Sequence, residues 1–133
     1  MSNKAGWYRR VAVVLMILMM ASCTKGPGEG GTSTIKGKVF VRDFNGSGQL
    51  QGEYYGVEER VYIIYGDEDF YGNDTRTSFD GTYEFQYLKK GLYTIFAYTE
   101  CDTCLSGLAP VFINAEITEN HATVELEDLV IIK

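Results

Sequence analysis

The stretch Ser78–Tyr98, SFDGTYEFQYLKKGLYTIFAY, decides the fold of this 133-residue chain. It opens with a tight turn, in which Gly81 can take the positive φ that a hairpin demands. Tyr83, Phe85 and Tyr87 then alternate with polar residues, which is the two-residue period of a half-buried strand with these three rings facing inward. A second turn at Lys89–Gly91 leads into another strand, whose inner face carries Tyr93, Ile95 and Ala97.

Strand patterns recur along the rest of the chain, and no helical periodicity follows residue 22. The remaining predicted strands are Ile35–Arg42, Val57–Tyr65, Ala109–Ile117 and Ala122–Ile132, the last of which Asp128 can divide. The glycine-rich segment Asp43–Gly56 is interpreted as a long loop or a ragged edge. The count of seven to eight strands predicts an all-β, Greek-key β-sandwich.

The spacing T-x-x-D-G-x-Y-x-F-x-x-L-x-x-G-x-Y-x-I resembles the core signature of carboxypeptidase regulatory-like domains. These domains are grouped with the B-type repeats of bacterial surface adhesins among the transthyretin-like, prealbumin-type sandwiches. The resemblance covers roughly residues 34 to 132 and implies the transthyretin-like version of the sandwich. The positions that carry it are Thr77, Asp80, Gly81, Tyr83, Phe85, Leu88, Gly91, Tyr93 and Ile95.

The chain begins with the pattern of a bacterial lipoprotein signal peptide, predicted over residues 1–22. Three basic residues precede the apolar run Val11–Ala21, which is too short to span a bilayer comfortably. Met20–Cys23, MASC, resembles a lipobox, in which Cys23 becomes the first mature residue and carries fatty acyl chains such as palmitate. The alternative is an ordinary secreted protein cut near Ser22, with Cys23 incidental.

Three domains are therefore expected: the signal peptide, a lipidated cysteine with a flexible Gly-rich tether over 23–34, and the sandwich over 35–133. Thr24 stands where an aspartate would favour inner-membrane retention, so we expect the outer membrane of a bacterial envelope. Cleavage removes three of the twelve basic residues and none of the eighteen acidic ones, leaving a net charge of −9. Such an acidic body repels nucleic acid, and the expected membrane contact is the acylated Cys23.

The acidic segment Asp67–Asp74 is a candidate calcium loop with an incomplete ligand pattern. Asp67, Asp69 and Asp74 offer the oxygen ligands that calcium prefers. The EF-hand spacing fails at Tyr71 and Ser78, so a solvated hairpin tip is the favoured interpretation and no metal site is predicted.

Cys101 and Cys104 follow a predicted strand in the spacing C-x-x-C, for which three explanations compete. A thioredoxin-type motif should open a helix, and structural zinc needs four ligands where the mature chain offers two thiols and one histidine. A four-residue turn brings two Cα atoms within disulfide range, and export favours oxidation. The disulfide is the favoured explanation.

Residues for catalysis are scarce, so no enzyme activity and no cofactor are predicted. The single histidine, His121, lies in a predicted turn without an accompanying catalytic motif. The predicted function is a non-catalytic binding or interaction module with an unidentified protein or glycan partner. Alternatives are a carbohydrate-binding module like the starch-binding-like relatives of this sandwich, and a structural fimbrial or envelope subunit.

Two aromatic side chains, Phe96 and Tyr98, point opposite to Tyr93 and Ile95 in the predicted strand register. They are candidate ligand contacts if they form an outward pair, because tyrosine and tryptophan rings stack well on ligands. A covering loop or sheet is the favoured alternative, since large aromatic side chains are mostly buried.

Overall fold

A computed structural model describes residues 3–18 and 26–133, which hold one helix and nine strands. Helix α1 spans Asn3–Leu18, within the segment predicted as a signal peptide. Neither described range contains a helix with the length and apolar character needed to cross a membrane. The strands are β1 Glu29–Phe44, β2 Leu50–Tyr55, β3 Arg60–Tyr65, β4 Asn73–Arg76, β5 Thr82–Leu88, β6 Gly91–Glu100, β7 Leu108–Ile117, β8 Thr123–Glu125 and β9 Leu129–Ile132.

The strands form two sheets that face each other, so the predicted all-β sandwich is confirmed with nine strands rather than seven or eight. One sheet has the order β4-β3-β6-β7. In the other, β1 pairs antiparallel with β2 and β5 and parallel with β8 and β9. The core between the sheets contains Ile35, Val39, Val41, Val61, Ile63, Tyr83, Phe85, Leu88, Tyr93, Ile95, Ala97, Ala115, Ile117, Leu129 and Ile131.

Strands β2 and β4 were not predicted, because neither shows a hydrophobic period. β2 lies in the segment Asp43–Gly56 and exposes most of its side chains. It pairs with β1 through its backbone and through the Arg42–Glu53 ion pair at 2.9 Å. β4 consists of four polar residues at the end of the acidic loop and is held by pairing with β3. Both are edge strands, and each pairs antiparallel with the strand that precedes it in the chain.

The tether predicted over 23–34 is wrong for its second half, because β1 begins at Glu29. Ser33 is fully buried and donates its hydroxyl hydrogen bond to the Glu119 carbonyl at 2.8 Å. The Glu29 carboxylate accepts from Tyr65 at 3.2 Å and from Asn73 at 2.9 Å, which joins β1 to β3 and β4. Burial and the charge of Glu29 raise the pKa of Tyr65 to about 12. A hydropathy pattern does not report such polar contacts, so the sequence did not predict that this segment is part of β1.

The β4–β5 turn takes the predicted form, with Gly81 at φ 81° and its N–H donating to the Ser78 carbonyl at 2.9 Å. The Ser78 hydroxyl and the Thr82 N–H both donate to the Asp80 carboxylate, at 2.6 and 3.1 Å. These bonds to Ser78 and Thr82 lower the pKa of Asp80 to about 2. The carboxylate therefore stays ionised and closes the turn that starts β5.

One inward position in β5 was predicted wrongly. Tyr83 and Phe85 lie in the core, but Tyr87 has φ 59° and is 70% exposed. The pairing of β1 with β5 shifts its register here, and Leu88 takes the buried position instead. A bulge adds one residue to a strand and moves the following side chains to the other face, so strict alternation fails beyond Phe85.

We expect Phe85→Ala to lower the free energy of unfolding by about 3–5 kcal/mol, because Phe85 is 4% exposed between the sheets and its removal leaves a cavity. The matched control is Phe79→Ala at the β4–β5 turn, where the ring is 88% exposed and its loss should change stability little. Urea melts of both variants make the measurement. Equal losses for Phe79 and Phe85 would mean that the β5 register described above is incorrect.

Candidate functional site

The outer face of the four-stranded sheet carries a row of aromatic side chains that crosses three strands. In the antiparallel register Tyr62 of β3 lies opposite Phe96 of β6, and Phe96 lies opposite Phe112 of β7. Directly paired residues of an antiparallel sheet point to the same face. Because Ile63, Ile95 and Ile113 face the core, the three rings lie on the outer face of the sheet.

These rings and two neighbours form a contiguous cluster, which we call the aromatic patch: Tyr62, Tyr71, Phe96, Tyr98 and Phe112. Tyr62 and Phe96 stack with their centroids 4.8 Å apart and their planes inclined by 12°. Tyr98 packs edge-on against both rings, at 5.7 and 5.6 Å. Tyr71 meets Tyr62 at 4.8 Å and Phe112 meets Phe96 at 5.6 Å. The mutual contacts hold the patch in a defined shape without a ligand.

The exposed fraction of the side chains differs within the patch. Phe96 is 7% exposed and lies beneath its neighbours, whereas Tyr98, Tyr71 and Phe112 are 47%, 52% and 55% exposed. Contiguous exposed apolar surface on a monomer marks interaction sites more often than isolated exposed residues do. The outer rings therefore offer the contact surface, and Phe96 supports them.

Polar side chains border the patch on the same face of the sheet. Asp74 lies opposite Tyr62 and contacts Arg60, with a carboxylate-to-guanidinium distance of 3.4 Å. On the other side of the row, the Thr94 hydroxyl lies 3.2 Å from the Asn114 side-chain oxygen. The patch thus combines flat apolar rings with hydrogen-bonding groups, which is the composition of specific binding sites.

Of the two aromatic residues predicted as ligand contacts, Phe96 is covered and Tyr98 is half exposed. The cover over Phe96 comes from rings of its own face rather than from a loop or a second sheet. Sequence reasoning missed Tyr62, Tyr71 and Phe112 as members of the same cluster. The alternation of Tyr62 with Val61 and Ile63 in the sequence was a usable signal, but only the strand order β3-β6-β7 places Tyr62 beside Phe96.

The cavity between β1 and the β8–β9 connection, of about 240 Å³, is the competing site. Its lining includes Lys36, Lys38, Glu125 and Asp128, and each of these has a partner within the protein; Lys38 lies over the Tyr55 ring. Lys36 and Glu125 meet at 2.9 Å, and this hydrogen bond and charge raise the pKa of Lys36. The Tyr55 hydroxyl donates to Asp128 at 3.1 Å. With its polar groups engaged internally, this cavity offers less to a ligand than the patch does.

The acidic segment does not assemble a metal site. Asp67 and Asp69 lie in the β3–β4 loop, while Asp74 lies in β4 and pairs with Arg60. Across residues 3–18 and 26–133, no three acidic, histidine or cysteine side chains converge in a geometry that would hold an ion. The candidate calcium ligands are thus separated by the start of β4, a strand that the sequence did not reveal.

The structure joins Cys101 and Cys104 by a disulfide in the β6–β7 loop, with a Cα–Cα distance of 5.4 Å. The Cys104 N–H donates to the Cys101 carbonyl at 3.1 Å, so a turn closes the same four residues. His121 lies in the β7–β8 turn at φ 55°, and its backbone N–H donates to the Thr32 hydroxyl at 3.0 Å. Cys23, the predicted lipidation site, lies outside the described residues.

Comparison with known proteins leaves the family open. No family model matches the chain, and no curated protein matches it. Among solved structures, the chain is similar to a proposed carbohydrate binding protein from Pseudomonas aeruginosa, with 14% sequence identity and a TM-score of 0.46. The match covers 80% of this chain and 91% of that one.

We expect the Cys101–Cys104 disulfide to contribute modestly to stability, because so short a loop restricts the unfolded chain little. The double variant Cys101→Ala, Cys104→Ala should lose about 2 kcal/mol or less in a urea melt. Thiol alkylation followed by intact-mass analysis should find neither cysteine modified in the native protein. Two alkylated cysteines in freshly purified protein would contradict the expectation.

Proposed function

We propose that the protein is a lipid-anchored lipoprotein of the bacterial envelope, in the outer membrane, and that its sandwich is a non-catalytic binding module. The sequence pattern of residues 1–23 supports the lipid anchor, and the aromatic patch supports the binding module. Its three outer rings are about half exposed, and ion-paired and hydrogen-bonded side chains border them. A surface of this composition favours recognition of a ligand over chemistry on it, since no nucleophile and base are paired there.

A carbohydrate is the ligand class that this surface suits best. A sugar ring has an apolar C–H face and a rim of hydroxyl groups. The rings of Tyr98 and Phe112 can pack against the face, while Arg60, Asp74 and Asn114 lie where hydroxyl groups of the rim can be hydrogen-bonded. Tyrosine adds a hydroxyl of its own at the edge of the stacking surface.

The sandwich itself is proposed to be of the carboxypeptidase regulatory-like, transthyretin-like type. Support comes from what the signature residues do in the structure. Asp80 and Gly81 form the β4–β5 turn, Phe85 and Leu88 fill the core from β5, and Gly91 opens β6 at φ 146°. The signature therefore coincides with the turn, core and strand-start positions that shape the hairpin.

A structural envelope subunit is the second candidate, and the edge of strand β7 favours it. In the described residues β7 pairs with β6 alone. The Gly66 N–H donates to the Leu92 carbonyl, so even-numbered residues of β6 bond to β3 and odd-numbered ones to β7. The backbone of Phe112 and Asn114 then faces outward, ready to accept a partner strand. Pro110 lies at the same edge, where its missing N–H costs no bond.

Acylation is tested by metabolic labelling with an alkyne fatty acid. We expect the wild-type protein to carry the label and to sediment with membranes, and Cys23→Ala to lose both properties. Two or more acyl chains bind a bilayer stably, whereas the acidic body adds no attraction for anionic lipid. A wild-type protein that is unlabelled and remains in the supernatant would contradict the lipoprotein assignment.

Sugar recognition is tested by binding of the acyl-free Cys23→Ala protein to an array of bacterial surface glycans. Tyr98→Ala and Phe112→Ala should each weaken binding to the recognised glycan by about tenfold, the loss expected when one stacking contact is removed. Their urea midpoints should stay near that of the parent, because both side chains are half exposed.

Phe79→Ala is the matched control for these two variants, because it removes an exposed phenylalanine that lies on a turn and outside the patch. Its glycan affinity should equal that of the parent. Equal losses for Phe79→Ala and Phe112→Ala would count against the patch. Absence of glycan binding together with cross-linked multimers of the native protein would favour the structural subunit.

A further inference from the structure

The segment just before β1 is fixed to one end of the sandwich. Gly28 is buried, and its N–H donates to the Tyr93 hydroxyl at 2.9 Å. The same hydroxyl donates to the Lys89 carbonyl at 2.6 Å, while the Lys89 N–H donates to the Gly28 carbonyl at 2.9 Å. Pro27 packs so closely on the start of β6 that a Cβ added to Gly91 would lie 2.7 Å from the Pro27 Cβ. The chain is therefore part of the folded body from Pro27 onward.

Only three residues, Thr24–Gly26, separate this fixed point from Cys23. A chain spans at most about 3.6 Å per residue, so the Cα atoms of Cys23 and Pro27 are at most about 14 Å apart. Acyl chains on Cys23 would hold that residue at the bilayer surface. The sandwich is much longer than the connection, since the part of β1 from Ser33 to Phe44 alone extends over about 36 Å.

We infer that the sandwich is held in one orientation, with the end at Pro27 facing the lipid surface and the disulfide loop pointing away from it. The inference rests on the proposed acylation of Cys23. The surface that the Pro27 end meets is a lipid bilayer, because a connection of three residues cannot bring the other end of a body more than about 36 Å long to the same bilayer.

The end that faces the membrane, which we call the proximal end, is defined by contacts. Gly66, which starts the β3–β4 loop, lies beside Pro27, and the β5–β6 turn is bonded to Gly28 through Lys89. The β7–β8 turn joins them, because the Glu119 carbonyl accepts the Ser33 hydroxyl. Three connections between strands thus lie at this end.

The distal end carries the β1–β2 turn, the disulfide loop and the last residue. β1 ends at Phe44, whose N–H donates to the Lys133 carbonyl at 2.7 Å. Glu100 and Asp102, which flank Cys101, line one surface cavity together with Phe44 and Lys133. The disulfide loop and the Asn45–Gly48 turn are therefore neighbours at the far end of the body.

Electrostatic attraction is not the source of this orientation. The proximal end exposes Lys90, but the adjacent loop exposes Asp67, Glu68 and Asp69. The net electrostatic interaction of this end with anionic lipid is therefore weak or repulsive. Salt would screen that interaction beyond about 10 Å. The orientation depends on the length of the connection, so it should persist at high ionic strength.

The orientation also fixes the height of the aromatic patch. Phe96 lies five residues beyond Gly91 on β6, which corresponds to about 17 Å from the proximal end. With at most about 14 Å of connection below it, the patch lies within roughly 30 Å of the lipid surface. A ligand of the patch must therefore reach the zone immediately above the bilayer.

Energy transfer to the membrane tests the orientation. The acylated protein is purified as Lys90→Cys or Ser47→Cys, labelled with a donor dye without reduction, and reconstituted into phosphatidylethanolamine–phosphatidylglycerol vesicles containing an acceptor-labelled headgroup. Both positions are exposed, one at the proximal and one at the distal end. We expect at least threefold higher transfer efficiency from position 90 than from position 47, unchanged in 1 M salt.

The matched control inserts a 20-residue Gly–Ser segment between Gly26 and Pro27, which gives a flexible connection of about 25 Å root-mean-square length. In this variant the difference between the two positions should largely disappear. Equal transfer from positions 90 and 47 with the native connection, in protein that floats with the vesicles, would overturn the orientation alone. Wild-type protein that does not float would overturn the acylation and the orientation with it.

Discussion

The structure depends on one long strand, β1, with which several other strands pair. β1 supplies backbone partners to β2, β5, β8 and β9, so four of the other eight strands pair with it. Ile35, Val39 and Val41 lie on the inner face of β1, are fully buried, and form one side of the core. A shift of one residue in the register of β1 would move these side chains to the solvent face and would disrupt the pairing with all four neighbouring strands.

The same strand explains why the two ends of the sandwich differ. At its start, β1 is joined to the other sheet by polar contacts from Glu29 and the adjoining Gly28, and to the β7–β8 turn by Ser33. At its end, Phe44 bonds to Lys133 near the disulfide loop. One end is therefore occupied by the entering chain and the other by the exiting chain, which links the fold to the proposed membrane orientation.

The inner face of β6 packs in the core, and its outer face carries part of the surface proposed to bind a ligand. Tyr93, Ile95 and Ala97 pack in the core, whereas Phe96 and Tyr98 belong to the aromatic patch. Period-two alternation allows each role to change without the other, since a substitution on one face leaves the opposite side chains in place. Tyr93 adds a third role, because its hydroxyl bonds to the segment before β1.

The sequence alone determined the fold class and the identity of the central hairpin. Alternating apolar residues and turn glycines report local geometry, which is why β5, β6 and the Gly81 turn were predictable. The tertiary structure decided what hydrophobic periodicity does not report: the edge strands β2 and β4, the bulge at Tyr87, and the attachment of Gly28. It also decided the patch, because the rings of Tyr62, Phe96 and Phe112 become neighbours only when strand order and register are set. Hydrophobic periodicity specifies which face of a strand is buried, but it carries no information about which strand lies beside it.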